Sequence, residues 1–147
     1  MAVLQFRNVL GGSIPLKKGT AAAAIIKGCP VYRDVSNGKI TAVATNGVKL
    51  LGFALSASTA ADQEIDYVPL FPGVEALLDF SGTYAAAKLG TYVAITVTGG
   101  VPVANLDKAD ADALKLEDLV TNDSAAAVYR AWCSAASTAN QTVVEVA

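Results

Sequence analysis

The sequence predicts a mainly β protein, a small antiparallel β-barrel or sandwich built from short hairpins. Three observations carry that expectation: closely spaced turn signals, short Val/Ile/Thr/Tyr-rich segments between them, and strict apolar alternation where a segment is longest. Asn37-Gly38, Asn46-Gly47, Gly73 after Pro72, Gly82, Gly90 and Gly99-Gly100 punctuate the chain. Asn-Gly and Gly-Gly suit the positive φ angles of tight hairpin turns.

The elements follow in order. Met1–Leu10 is either an N-terminal arm, counted to residue 12, or the first strand of the same β domain, which then spans 13–147. "VYRDVSNGKITAV" reads as a hairpin turning at Asn37-Gly38. "LLGFALSA" and "EIDYVPLF" read as two further strands joined by the Ser58–Gln63 loop. In "TYVAITVTGGVPVAN", Val93, Ile95 and Val97 face one way and Tyr92, Ala94 and Thr96 the other, and Gly99-Gly100 returns the chain. "LDKADADALKLEDLV" is the exception. Asp107 is placed as an N-cap and Leu116, Leu119 and Val120 have helical spacing, so a short helix is expected near 107–120.

Ala-Ser-Thr-Ala occurs twice, at Ala57–Ala60 and Ala136–Ala139. Setting the runs side by side places Phe53 opposite Trp132 and Ala54 opposite Cys133. Half-repeats at 27–70 and 89–147 would explain this, and so would chance in two stretches rich in Ala, Ser and Thr.

Composition narrows the chemistry. The 147 residues are 53% apolar and 16% charged, well below the roughly one quarter usual for globular domains. Buried contacts with other chains would absorb such an excess. No apolar run approaches the roughly 18 residues of a membrane span, and no membrane partner is expected. A net charge of −2, with only Lys17 and Lys18 adjacent among the basic residues, does not provide a nucleic-acid footprint. Cys29 and Cys133 are expected as buried free thiols.

There is no histidine. The usual neutral-pH base and Ser-His-Asp or Cys-His machinery are therefore missing. Asp62, Glu64 and Asp66, and Asp107, Asp110 and Asp112, are the carboxylate groups left to consider; the second lacks the Gly and terminal Glu of a calcium loop. The expectation is no enzyme, no cofactor and no metal.

The order "KGCPVY…NGKITAV…KLLGFALSASTAADQEIDYVPL", Lys27–Leu70, resembles the capsid cement or head decoration proteins of tailed bacteriophages. The pattern falls on Lys27, Gly28 and Val31, then Leu51, Gly52, Phe53 and Ala54, then Ile65, Tyr67 and Val68. The resemblance implies a structural virion protein that decorates and stabilises the outer capsid surface and is made in the host cytoplasm. It implies the major capsid protein as partner and a homo-oligomer, with a trimer favoured. Val3, Leu4, Phe6, Val9 and Leu10 are the expected capsid or subunit contacts, as an apolar arm ahead of Gly11-Gly12. The alternative function is a β-sandwich module recognising glycan or a host surface, for which Tyr67, Tyr84 and Tyr92 are the aromatic candidates.

Overall fold

The computed structural model describes residues 5–43, 50–110, 113–119 and 130–135. It contains eleven strands: β1 Gln5–Asn8, β2 Lys17–Thr20, β3 Pro30–Arg33, β4 Ile40–Ala42, β5 Gly52–Ala54, β6 Glu64–Pro69, β7 Val74–Ser81, β8 Tyr92–Thr98, β9 Val101–Ala109, β10 Leu114–Leu119 and β11 Arg130–Ala135. A single 3-10 turn, Ala86–Lys88, is the only helical element among the described residues. The mainly β expectation holds.

The expected hairpins turn where the glycines allow it. Gly38, Gly99 and Gly100 have φ of 72°, 58° and 81°, backbone angles at which a β-carbon is costly. The Asn46-Gly47 turn lies outside the described residues. The helix expected near 107–120 is corrected to the end of β9 and all of β10. Asp107 does not cap a helix; its Oδ1 accepts the Thr83 N–H at 3.2 Å. A bulge between Leu116 and Asp118 inserts one residue into β10, so Leu116 and Leu119 acquire a spacing of three that imitates a helix.

Two sheets result. The first has the order β2-β6-β5-β3-β4, and the second β1-β7-β11-β10-β8-β9. With β1 set aside, the second repeats the order of the first, strand for strand: β7 to β11 take the places of β2 to β6. Both sheets curl until their outer strands meet in parallel, through the Ala21–Ile40 bridge in the first and the β7–β9 pairing in the second.

The registers agree as well as the order. Lys17–Tyr67 and Gly19–Ile65 correspond to Ala76–Cys133 and Leu78–Ala131. Gly52–Pro69 and Ala54–Tyr67 correspond to Leu114–Ala135 and Leu116–Cys133. Val31–Gly52 matches Val93–Leu114, and Ala21–Ile40 matches Phe80–Ala104. The ladder thus sets Phe53 against Lys115 and Trp132 against Asp66. The Phe53–Trp132 match drawn from the Ala-Ser-Thr-Ala runs is corrected accordingly. The first run sits between β5 and β6, where the Ser58 hydroxyl accepts the Ile25 N–H and donates to Ala23 O, both at 2.9 Å. The second lies outside the described residues.

The two interiors use opposite sizes at matching positions. Gly19, Ile40 and Tyr67 meet inside the first sheet, whereas Leu78, Ala104 and Cys133 occupy those positions in the second. A β-carbon on Gly19 would lie 2.5 Å from Ile40 Cγ1 and 3.4 Å from Tyr67 Cε1. Glycine is thus required by the bulk opposite it. β5 and the end of β6 are buried on both faces: Ala54, Ile65 and Tyr67 point into the first interior, while Phe53 and Val68 join the core of the second sheet. Cys29 and Cys133 are both free and buried, and burial pushes the Cys133 thiol up to about 12.

Gly19→Ala should cost about 1–3 kcal/mol by overpacking, and Ile40→Ala about 2–5 kcal/mol by leaving a cavity. The pair should cost clearly less than the sum, because the new methyl fills part of that cavity; additive losses in urea melts would break the packing account. Both thiols should react with an aromatic disulfide reagent at neutral pH only after denaturation, since the reactive species is the thiolate.

Candidate functional site

The N-terminal segment expected to make outside contacts forms, in its described part, a strand of this same chain. β1 runs antiparallel to β7, with Gln5–Leu77, Phe6–Ala76, Arg7–Glu75 and Asn8–Val74 as partners. Alternation divides its side chains. Phe6 is half-buried against the core, its ring 6.0 Å from that of Phe53. Arg7, on the opposite face, donates from Nε and Nη2 to Glu75 Oε1 at 2.9 and 2.7 Å. Its guanidinium carbon also lies 4.4 Å above the Trp132 ring. The Glu75 side chain is only 7% exposed, and a buried carboxylate requires such a partner.

The chain then leaves the sheet as a shaped loop. The Val9 N–H donates to Gly73 O at 2.8 Å and the Gly11 N–H to Asn8 O at 3.2 Å. Asn8 Oδ1 accepts the Leu10 N–H at 3.1 Å, while Asn8 Nδ2 donates to Ser13 O at 3.3 Å. Gly73, at φ 92°, leaves room for Leu10: a β-carbon there would come within 2.6 Å of Leu10 Cγ. The loop therefore holds Leu10 and Val9 outward, 76% and 54% exposed, and Leu16 at its far end is 66% exposed. Lys17 next to it places its ammonium 5.4 Å from the half-buried Phe71 ring. The loop itself, Val9–Leu16, carries no charged residue and exposes three large apolar side chains.

Of the five expected contact residues, Val9 and Leu10 are thus presented to solvent and Phe6 is turned inward as an anchor. Val3 and Leu4 lie outside the described residues. Leu16 was missed; its exposure depends on the loop geometry, which no apolar spacing records.

The other candidates are dispersed or engaged. Lys39 Nζ pairs with Asp62 Oδ1 at 2.6 Å, and Lys18 Nζ bridges Glu64 at 3.3 Å and Asp66 at 3.0 Å. Those two carboxylates raise the Lys18 pKa above its ordinary value, chiefly because Lys18 donates a hydrogen bond to Asp66. Asp112 lies outside the described residues. Tyr67 is buried inside the first sheet, Tyr84 packs on Phe80 with ring centroids 6.2 Å apart, and Tyr92 is 45% exposed. They do not form the shared platform that a glycan module would use. A cleft of about 490 Å³ separates the sheets, lined by Ile26, Leu55, Leu77 and Pro102 with Asp79 and Arg130.

Comparison with known proteins fits this arrangement. Residues 6–69 match the family model described as Phage cement protein. This stretch, under half of the chain, is similar to phage cement proteins. It starts in β1 and ends with β6, so it takes in the exposed loop and the whole first sheet. No curated protein matches the chain. The match supports a structural role at the phage capsid.

Arg7→Ala should lower stability by about 2 kcal/mol, because it leaves Glu75 buried without its partner; the figure is set below that of a fully buried pair since Arg7 is a third exposed. Trp132 emission should move to longer wavelength in the same variant as the covering guanidinium is lost. An unchanged melting point and spectrum would show that the pair does not hold β1.

Proposed function

We propose that the chain is a capsid cement protein that binds the outside of an assembled phage shell and stabilises it. It does so as a homo-oligomer, a trimer being the form favoured by its resemblance to decoration proteins. The carrying observation is the shaped apolar loop: Val9 and Leu10 are held outward and Leu16 is exposed at its far end, within the stretch that matches the cement family. The major capsid protein is the partner. Val3 and Leu4 stay in the proposal on sequence grounds, whereas Phe6 anchors the strand that carries the loop.

The two sheets are read as tandem copies of one five-stranded unit, supported by their common order and registers. The rigid β scaffold suits clamping, because little ordering entropy is lost when preformed surfaces meet. Attachment through apolar side chains is also consistent with the sparse charge.

The test is co-sedimentation with undecorated shells. Val9→Ser with Leu10→Ser should leave the fold intact and weaken attachment at least tenfold, since burying one such side chain is worth about 1.5–3 kcal/mol. Wild-type attachment should persist as salt is raised and strengthen in sulfate. Loss of binding at moderate salt would indicate an electrostatic contact instead.

A further inference from the structure

The shared registers allow one seat in the second sheet to be compared, residue by residue, with a place in the first. β1 lies on β7 along Val74–Leu77. Through the match of β2–β6 with β7–β11, those four positions correspond to Pro15–Lys18. Among the described residues no strand pairs there. β2 is bonded to β6 on one side and reaches β4 only through the bridge at Ala21–Ile40.

Strand alternation identifies the backbone groups that face this place. The Ala21 N–H donates to Gln63 O on the β6 side, and the Ala22 N–H donates to Ile40 O on the other. Continuing the period of two upstream, Lys18 and Leu16 share the side of Ala22, so their N–H and C=O groups point away from β6. Pro15, the residue without an N–H, is directed towards β6. The edge therefore keeps its donors where a strand would need them. An unpaired edge can accept an added strand, and the Lys18 charge that would discourage it is taken up by Glu64 and Asp66.

We propose that the Leu16–Lys18 edge is a second strand seat, filled in trans by an extended segment of the shell protein that sets an apolar side chain opposite Leu16. This rests on the shell-attachment reading. Leu16 takes the position of Glu75, so the incoming strand needs an apolar residue where β1 has Arg7. A second copy's β1 does not meet that requirement, because Arg7 would face Leu16 and abandon the buried Glu75. Pairing β2 with β2 of a second copy would bring the Lys17–Lys18 pairs together, and like charges in register repel. The seat adjoins the exposed Val9–Leu10 loop through the chain itself, so one partner can engage both.

Two substitutions separate the backbone from the side chain. Leu16→Pro removes the outward N–H, and Leu16→Lys replaces the apolar side chain with a strand-blocking charge. Leu89→Lys, at another exposed leucine, is the control. Co-sedimentation with undecorated shells should weaken at least tenfold for both Leu16 variants and less than twofold for the control. Amide exchange on the unmodified chain reads the seat independently of either variant: the Leu16 and Lys18 amides should slow at least tenfold on the shell. Wild-type binding with both variants unaffected, or without amide slowing, overturns the seat and leaves attachment standing. A loss confined to Leu16→Lys shows a side-chain contact without strand pairing, which also overturns it. Failure of the wild type to bind shells overturns both readings.

Discussion

The buried carboxylate of Glu75 constrains the start of the chain. A charge enclosed by β7 and its neighbours is costly unless it is paired, and Arg7 supplies two hydrogen bonds to one of its oxygens. That pairing fixes β1 in a single register, because a slip of one residue would turn Arg7 towards the core and Phe6 towards water. With β1 fixed, Asn8 is placed to hold the following turn, and Leu10 comes to rest over Gly73. The outward position of the Val9–Leu10 loop is thus a remote consequence of an ion pair on the opposite face of the strand. The flat guanidinium also covers Trp132, which ties β1 to β11 across the intervening β7.

A second constraint governs the interiors. A five-stranded unit that curls until its outer strands meet has little internal volume, and each wall position limits the one opposite. In the first sheet the bulk is in Ile40 and Tyr67, and glycine is needed at position 19; in the second the bulk is in Leu78, Leu114 and Leu116, with Ala104 and Cys133 opposite. Close packing permits either solution but not a mixture of the large choices. Gly52 obeys a stricter version of the same limit, since a β-carbon there would lie 2.0 Å from the Val68 carbonyl oxygen. Its counterpart Leu114 carries a full, buried side chain.

These exchanges explain what the sequence made legible and what it concealed. Glycine turns and the alternation in Tyr92–Thr98 are local signals, and they located hairpins in both sheets. The repeat is a property of registers, and side chains at matching positions were free to diverge in size. They diverged on the outer face too: Phe53 and Val68 are apolar because the second sheet covers them, while Lys115 and Ser134 at the corresponding places are polar. Sequence comparison consequently set Phe53 against Trp132, positions that the registers do not make equivalent. In β10, one bulge residue shifted a period of two into a spacing that resembles a helix. The exposed loop was half legible, since Val9 and Leu10 are apolar beside two glycines, but only the register of β1 distinguishes them from Phe6.

The apolar excess also divides into two parts once the fold is known. Much of it is consumed inside the chain, because two interiors and the contact between the sheets all require apolar side chains. Among the described residues, the large apolar side chains left exposed are few: Val9, Leu10 and Leu16 flank the passage from β1 to β2, with Ile26 beside the cleft and Leu89 and Tyr92 near the 3-10 turn. Scattered residues of this kind are ordinary on any surface, whereas several on one hydrogen-bonded loop suit the proposed attachment. The loop costs the fold little, since its polar backbone groups are satisfied by Asn8 and Gly73 rather than by its apolar side chains. Those side chains are therefore free to serve a partner, while Arg7 and Phe6 bear the structural load behind them.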